Sequence, residues 1–459
     1  MITSIIHRIV TLLGVLLFGA ILPASYAAGT QQPSAEIHSE TTDRPATADS
    51  TDYTPGRSRL TASLLTCSPG AEVYELFGHE AIRIRGIDEK GLPVDTVWNY
   101  GVFDFAAPNF LYRFVKGETD YMVEPCPMDW FMAAYIHRGT GVTEQDLNLS
   151  QQETYTLRRL LQINSLPQNR TYRYNYVRDN CATRIVDMID AAVAPRKVVF
   201  PDTIYYPTFR TAMREFHKDY PWYQFGIDLV LGGGLDVAVT TREELFAPLL
   251  LEQKAAFARF EDGAPLVSNT HILYPGPLTA VSDQQMMERL ATQAPDLPTL
   301  RQMGHTLAPT TWILSPMCVA IILMLGSFWI GWWQFRNARI IRWAYALFFT
   351  LLGLAGCVVW FLVFCSSHDS TSPNLLSLWL NPIQLAVALF IWWDRTRGIA
   401  VAMAAVDVII MIMLIAAWPL QTQVANPAVF PLWAATLTLS FSLVMVEIIN
   451  RRKIANATK

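Results

Sequence analysis

The chain reads as an α+β domain carried outside a bilayer by an α-helical membrane bundle, and three observations predict this. Hydrophobic residues make up 52% of the 459 and charged residues only 16%, a balance too apolar for an ordinary soluble protein. The apolar excess lies at the two ends, most of it in five long C-terminal segments. Between the ends, residues 59–265 alternate strand-like and helix-like stretches rich in Tyr, Trp and Phe, with enough apolar surface for one core. The length alone calls for at least two structural units.

Residues 1–27 combine a basic start at His7 and Arg8, an apolar run over 9–22, and small residues Ser25 and Ala27. That is the layout of a signal peptide cleaved after Ala27. No Cys follows the expected cleavage site, so the chain is not itself expected to be a lipoprotein. Residues 28–58 are polar, with little to bury, and read as a disordered spacer. After the 59–265 domain, residues 266–309 read as a neck. Spans are expected at 310–334, 341–365, 373–393, 398–418 and 427–449, followed by a tail at 450–459, each segment being long enough for a hydrocarbon core of about 30 Å. Arg336, Arg339, Arg342, Arg395, Arg397, Arg451, Arg452 and Lys453 all fall on one side of these spans, which makes that side cytoplasmic. The large domain falls on the other side, as a cleaved signal requires. Trp332, Trp333, Trp392, Trp393 and Trp418 sit near span ends as interface anchors. The net charge of -4 and the lack of a basic block outside the membrane flanks exclude a nucleic-acid surface.

Within the domain, Cys181 stands apart from Cys67 and Cys126. Asp179 or Asn180 can cap a helix whose apolar face runs Ile185, Met188 and Ile189, which puts the thiol in the first turn. Backbone N–H groups and the helix dipole there favour a thiolate and can hold an oxyanion. A base is needed, and His79, His137 and His217 are available. His79 opens a strand after Gly78, with Ala81 and Arg83 on one alternation and Ile82 and Ile84 on the other. The next strand returns Asn99 to the level of His79. Either Asn99 or Asp104 can orient the imidazole, with Asn99 preferred. Cys67 and Cys126 are read as a disulfide or as two free thiols without a catalytic role. Arg178 and Arg184 flank the Cys and can tune its pKa or bind anionic head groups. The His residues lack metal-ligand spacing, so no metal is expected.

Phe77-Gly78-His79 followed much later by Asn180-Cys181 resembles the permuted papain-like group that contains lecithin retinol acyltransferase and the NlpC-type peptidases. The stretches 76–84, 99–105, 179–184 and 222–232 more closely resemble the family of lipoprotein N-acyltransferases typified by Lnb. The resemblance implies a permuted papain-like domain outside the bacterial inner membrane, in the periplasm, with a multi-pass bundle behind it. It also implies Cys181 as nucleophile and His79 as base, a membrane phospholipid as acyl donor, an apolipoprotein amine as acceptor, and no cofactor. It further directs attention to His368, Asn374 and Asn381, which with Arg184 are candidate substrate-binding residues. The alternatives are an NlpC-type peptidase or amidase of the cell wall, a lipid acyl hydrolase, and a binding module in which Cys181 is inert.

Overall fold

A computed structural model describes residues 59–70, 75–104, 106–276 and 311–457. The expected signal peptide, the spacer and residues 277–309 of the expected neck lie outside the described residues.

The N-terminal unit begins with β1 (Arg59–Cys67), β2 (His79–Ile87) and β3 (Pro93–Val102). Asp88 sets the β2–β3 turn by accepting from the N–H groups of Lys90 and Leu92 at 3.0 and 2.9 Å. Then come α1 (Phe110–Lys116), β4 (Asp120–Pro127), α2 (Met128–Arg138), β5 (Val142–Leu147), α3 (Gln151–Asn164) and β6 (Thr171–Arg173). The unit continues with α4 (Cys181–Val193), β7 (Val198–Val199), α5 (Phe209–His217), α6 (Pro221–Val230) and α7 (Thr241–Glu244). It ends with α8 (Pro248–Ala255), β8 (Arg259–Phe260) and β9 (Val267–Tyr274).

Seven of these strands form one sheet in the order β6-β4-β3-β2-β1-β5-β9, and every neighbouring pair is antiparallel. This is an α+β unit, as the sequence pattern predicts. The strand alternation sorts the two faces. Leu60, Ala62 and Leu64, Ile82 and Ile84, and Trp98 and Tyr100 face α4, where Ile185, Val186 and Ile189 cover them. Each such aliphatic side chain contributes about 1.5–3 kcal/mol on burial. Leu65, Cys67, Ala81 and Val97 face the other way, onto Phe131 and Tyr135 of α2. β9 corrects the expected domain boundary: it falls in the expected neck, yet it pairs with β5 and closes the sheet edge.

The C-terminal unit holds α9 (Pro316–Asn337), α10 (Arg342–Phe364), α11 (Gln384–Phe390), α12 (Arg397–Ala417) and α13 (Val429–Ala457). Among the described residues four helices, not the expected five, are long and apolar enough to cross a membrane. The exception is the segment expected at 373–393, which breaks into a 3-10 turn at Leu375–Leu378 and the short α11. Pro382 lacks an amide donor, and the Asn381 side-chain amide takes the carbonyls of Leu378 and Trp379 at 2.8 and 3.3 Å. Such a break is tolerated at membrane depth where protein covers it. α10 provides the cover: a Cβ on Gly356 would stand 2.5 Å from the backbone N and C of Asn381. Gly356→Val is therefore expected to cost about 1–3 kcal/mol by overpacking, read as a lower apparent Tm in detergent. The expected tail also differs, since α13 continues through it to Ala457.

The basic ends gather at one end of this bundle. Arg342 donates to Asp394 at 2.5 Å, while Arg397 and Arg451 reach Glu447 at 3.2 and 3.0 Å. The N-terminal unit sits on the opposite end. There Phe225 and Leu229 of α6 are buried among Leu376, Trp379 and Val429 of the bundle, and Trp222 Nε1 donates to the Leu314 carbonyl at 2.7 Å.

Candidate active site

Cys181 occupies the first position of α4, and the cap ahead of it is closely tied. Asn180 Oδ1 accepts from the Thr183 N–H at 3.1 Å, and Thr183 Oγ1 accepts from the Asn180 N–H at 2.8 Å. The Asn180 amide also donates to the carbonyls of Tyr176 and Phe246 at 3.0 and 2.8 Å. The helix start is thus fixed to two other segments, and the thiol, 5% exposed, is held against the sheet.

The thiol lies at the His79 end of β2, where the backbone N–H of Glu80, the residue after His79, acts on it. The N–H groups of Ala182 and Cys181 and the Tyr174 hydroxyl also act to lower the pKa of this thiol. Burial is the largest influence on this thiol and raises its pKa, with the four donors opposing it. Desolvation thus outweighs the stabilisation that the helix terminus offers a thiolate. Tyr174 was not singled out from the sequence. The available signal was the alternation of Tyr172, Tyr174 and Tyr176 just ahead of Asn180.

His79 is positioned by backbone. Gly78 has φ 74° and any Cβ there would meet the Cys67 carbonyl oxygen at 2.4 Å, so the turn into β2 requires glycine. Asn99 pairs with Ala81 in the β2–β3 register, which puts its side chain on the His79 face. His79 Nε2 and Asn99 Oδ1 are 2.5 Å apart. An amide oxygen only accepts, so Nε2 carries the proton and Nδ1 keeps the lone pair. Burial lowers the His79 pKa to about 4, against the pull of the Asn99 bond; at neutral pH the ring is an uncharged base. Asp104 is not the partner: it is exposed and its carboxylate accepts from the Ala106 N–H at 2.8 Å. His137 is exposed on α2, and His217 is buried, with Nδ1 donating to the Met213 carbonyl at 2.7 Å.

Cys67 lies directly across the β1–β2 register from His79, but it is fully buried and its thiol is engaged by Tyr135. Cys67 and Cys126 are free thiols. Glu80 and Glu252 are both buried carboxyls. Glu80 accepts from Thr66 Oγ1 at 3.0 Å, and burial with the nearby Glu252 pushes its pKa well up. Burial raises Glu252 to about 8, with Thr143 opposing. A raised carboxylate pKa means the folded state binds the extra proton, so this contribution is full below the ordinary value and is lost as pH rises through the folded one. Replacing Glu252 by Gln is expected to raise apparent Tm increasingly as pH rises from about 5 to about 8. The titration of His79, common to both proteins, cancels from the difference.

The four expected substrate-binding residues have internal partners. Arg184 is paired bidentately with Asp179 at 2.5 and 2.8 Å and lies over the Tyr172 ring at 3.7 Å. Asn374 is buried, donating to the Leu229 carbonyl at 2.9 Å and accepting from Leu376 N and Gln423 Nε2. Asn381 holds the broken helix described above. His368 joins the two units, its Nε2 donating to the Phe114 carbonyl at 3.1 Å. Of the four, His368 and Asn374 bridge the N-terminal unit and the bundle.

The seat of the N-terminal unit on the bundle contains a buried ionic network the sequence did not reveal. Arg210, 1% exposed, donates to Asp236 at 2.7 Å, Asp228 at 3.0 Å, and the carbonyls of Leu231 and Gly232 at 3.0 and 2.8 Å. Asp228 also accepts from Arg214 at 3.2 Å and from Asn426 of the bundle at 3.0 Å. Arg214 reaches the Ala425 carbonyl at 3.1 Å, and the Val424 N–H donates to Asp236 at 3.2 Å. Gly232 packs so closely on the outward loop that a Cβ would meet the Pro373 carbonyl oxygen at 2.3 Å.

A thiol and a neutral imidazole in an α+β unit fixed to one end of an apolar helical bundle define a membrane protein with its site on an external domain. Comparison with known families gives the same division. The Lnb N-terminal periplasmic domain matches residues 52–211 and the Lnb transmembrane domain matches residues 308–452, and the chain belongs to the Lnb family. It is a membrane protein with a periplasmic domain. No curated protein and no solved structure matches it.

Proposed function

We propose that this protein is a cysteine-dependent lipoprotein N-acyltransferase of the bacterial inner membrane, with a permuted papain-like periplasmic domain. The observation that carries the reading is that the unit holding Cys181 at the start of α4 and His79 at the start of β2 is fixed to the membrane bundle through the buried Arg210 network, an arrangement suited to substrates confined to a bilayer. Family membership supports it.

In the first step, His79 Nδ1 takes the Cys181 proton and the sulfur attacks an ester carbonyl of a phospholipid. The C–S bond forms, the C–O bond to glycerol breaks, and the proton passes from His79 to the departing oxygen, giving a lysophospholipid and a thioester. The Tyr174 hydroxyl and the N–H groups at the start of α4 are donors for the oxyanion. In the second step, the N-terminal amine of an apolipoprotein attacks the thioester. The C–N bond forms, the C–S bond breaks, and the amine proton returns through His79 to the thiolate. Asn99 keeps His79 in the tautomer this requires.

The test is mass spectrometry of the N-terminal peptide of a reporter lipoprotein, in cells lacking their own N-acyltransferase and complemented with this protein. An amide-linked acyl chain is the expected result. A free amine with normal expression would overturn transfer, and release of free fatty acid in its place would assign the site to lipid hydrolysis.

A further inference from the structure

α1 is an unusual element for a water-facing surface. Five of its seven residues, Phe110, Leu111, Tyr112, Phe114 and Val115, are apolar or aromatic, and the helix buries none of its side chains. Leu111 is 41% and Tyr112 56% exposed. Such a face is stable where it meets lipid. The bundle fixes its level: the Tyr112 ring lies 6.4 Å from that of Phe361, near the outward end of α10. The Ser367 N–H donates to the Lys116 carbonyl at 2.8 Å, and His368 packs on Gly117 at the end of α1. α1 therefore lies at the periplasmic surface of the bilayer.

From α1 a row of rings runs to the thiol. Phe110 stacks on Phe103 with centroids 5.6 Å apart, Phe103 meets Tyr121 at 5.0 Å, and Tyr121 stacks on Tyr174 at 4.5 Å. Tyr174 packs against the core cluster that holds Cys181. All four residues are half-buried. Gly101, at φ 87°, keeps the flank of Tyr174 free of a side chain. The row has lipid at one end and the candidate nucleophile at the other.

We propose that this aromatic row is the track for the acyl chain of a membrane phospholipid, with α1 dipping into the outer leaflet as its mouth. The chain leaves the bilayer at Leu111 and Tyr112, lies along Phe110, Phe103 and Tyr121, and brings its ester to Cys181. Flat rings suit this ligand because they offer apolar contact without demanding one chain length. The inference rests on the lipid-donor reading above and adds the surface on which the donor binds.

The test places the photo-crosslinker p-benzoylphenylalanine at Tyr112, at Phe103, or at Leu92, in the full-length protein in vesicles of dioleoyl phosphatidylethanolamine. Leu92 is 57% exposed in the turn at the far end of β2, away from α1. Phe110 serves as a second position on the row should the change at Phe103 prevent folding. Each protein is made with Cys181→Ala, so that adducts do not depend on thioester formation. A phospholipid adduct is expected at 112 and 103 and absent at 92. Adduct at 112 alone would overturn the track, as would adduct at all three positions or at none. Adducts at 112 and 103 in a protein whose parent never forms a thioester would retain the lipid track and overturn only acyl transfer.

Discussion

Cys181→Ala is expected to abolish acyl transfer, with a fall of at least about 10⁴-fold, because a covalent route without its nucleophile leaves only binding. His79→Ala is expected to cost about 10²–10⁴-fold through loss of the base. The two together should cost little more than Cys181→Ala alone, since residues acting as one unit are strongly non-additive. Cys67→Ala is the discriminating control. Its thiol is opposite His79 in the strand register, but it is fully buried and engaged by Tyr135. Transfer measured on a reporter peptide should survive this change. A loss with Cys67→Ala and retention with Cys181→Ala would exchange the two roles.

Arg210→Met is expected to be the most destabilising single change on the periplasmic side. It leaves Asp228 and Asp236, both with side chains 2% exposed, without their shared guanidinium. Removing one partner from a buried ion pair typically costs about 3–5 kcal/mol. The lost contacts fix Asp228 and Asp236, which accept from Asn426 and Val424 of the bundle loop, so limited proteolysis should release the N-terminal unit at lower temperature than in the parent. Arg214→Met should cost less, because its side chain is 24% exposed and Asp228 keeps Arg210 and Asn426. Thermal scans of both variants in the same detergent give the comparison.

The His79 and Asn99 contact was legible because alternation and turn position suffice for it. A tight turn after Ile87 returns the next strand in register, and residues two apart share a face. Cys181 at a helix start was legible from its Asn cap for the same local reason. The Arg210 network was not. Its partners lie as far as 211 residues apart in the chain, and a single arginine in an amphipathic helix reads as solvated until the bundle is placed over it. The third expected span illustrates the limit of hydropathy: residues 373–393 are apolar enough, but Pro382, the bonds of Asn381 and the close approach of Gly356 break the helix. Polar residues in that outward region suggested ligand binding from sequence. In the fold, Asn381 spends its amide on local backbone, which capping chemistry makes a strong competitor, and Asn374 caps Leu376 while also bonding Leu229 and Gln423. β9 escaped notice because its exposed, polar edge-strand pattern gives little hydrophobic signal, burying almost nothing beyond its pairing to β5.

In the proposed reaction, Cys181 becomes acylated by a membrane lipid. Purified full-length protein incubated in phospholipid vesicles without acceptor, then digested and analysed by mass spectrometry, tests it directly. An acyl chain on the Cys181 peptide is the expected result, removed by hydroxylamine as a thioester and discharged on adding a lipopeptide with a free N-terminal amine. An unmodified Cys181 in protein that nevertheless acylates the lipopeptide would contradict it.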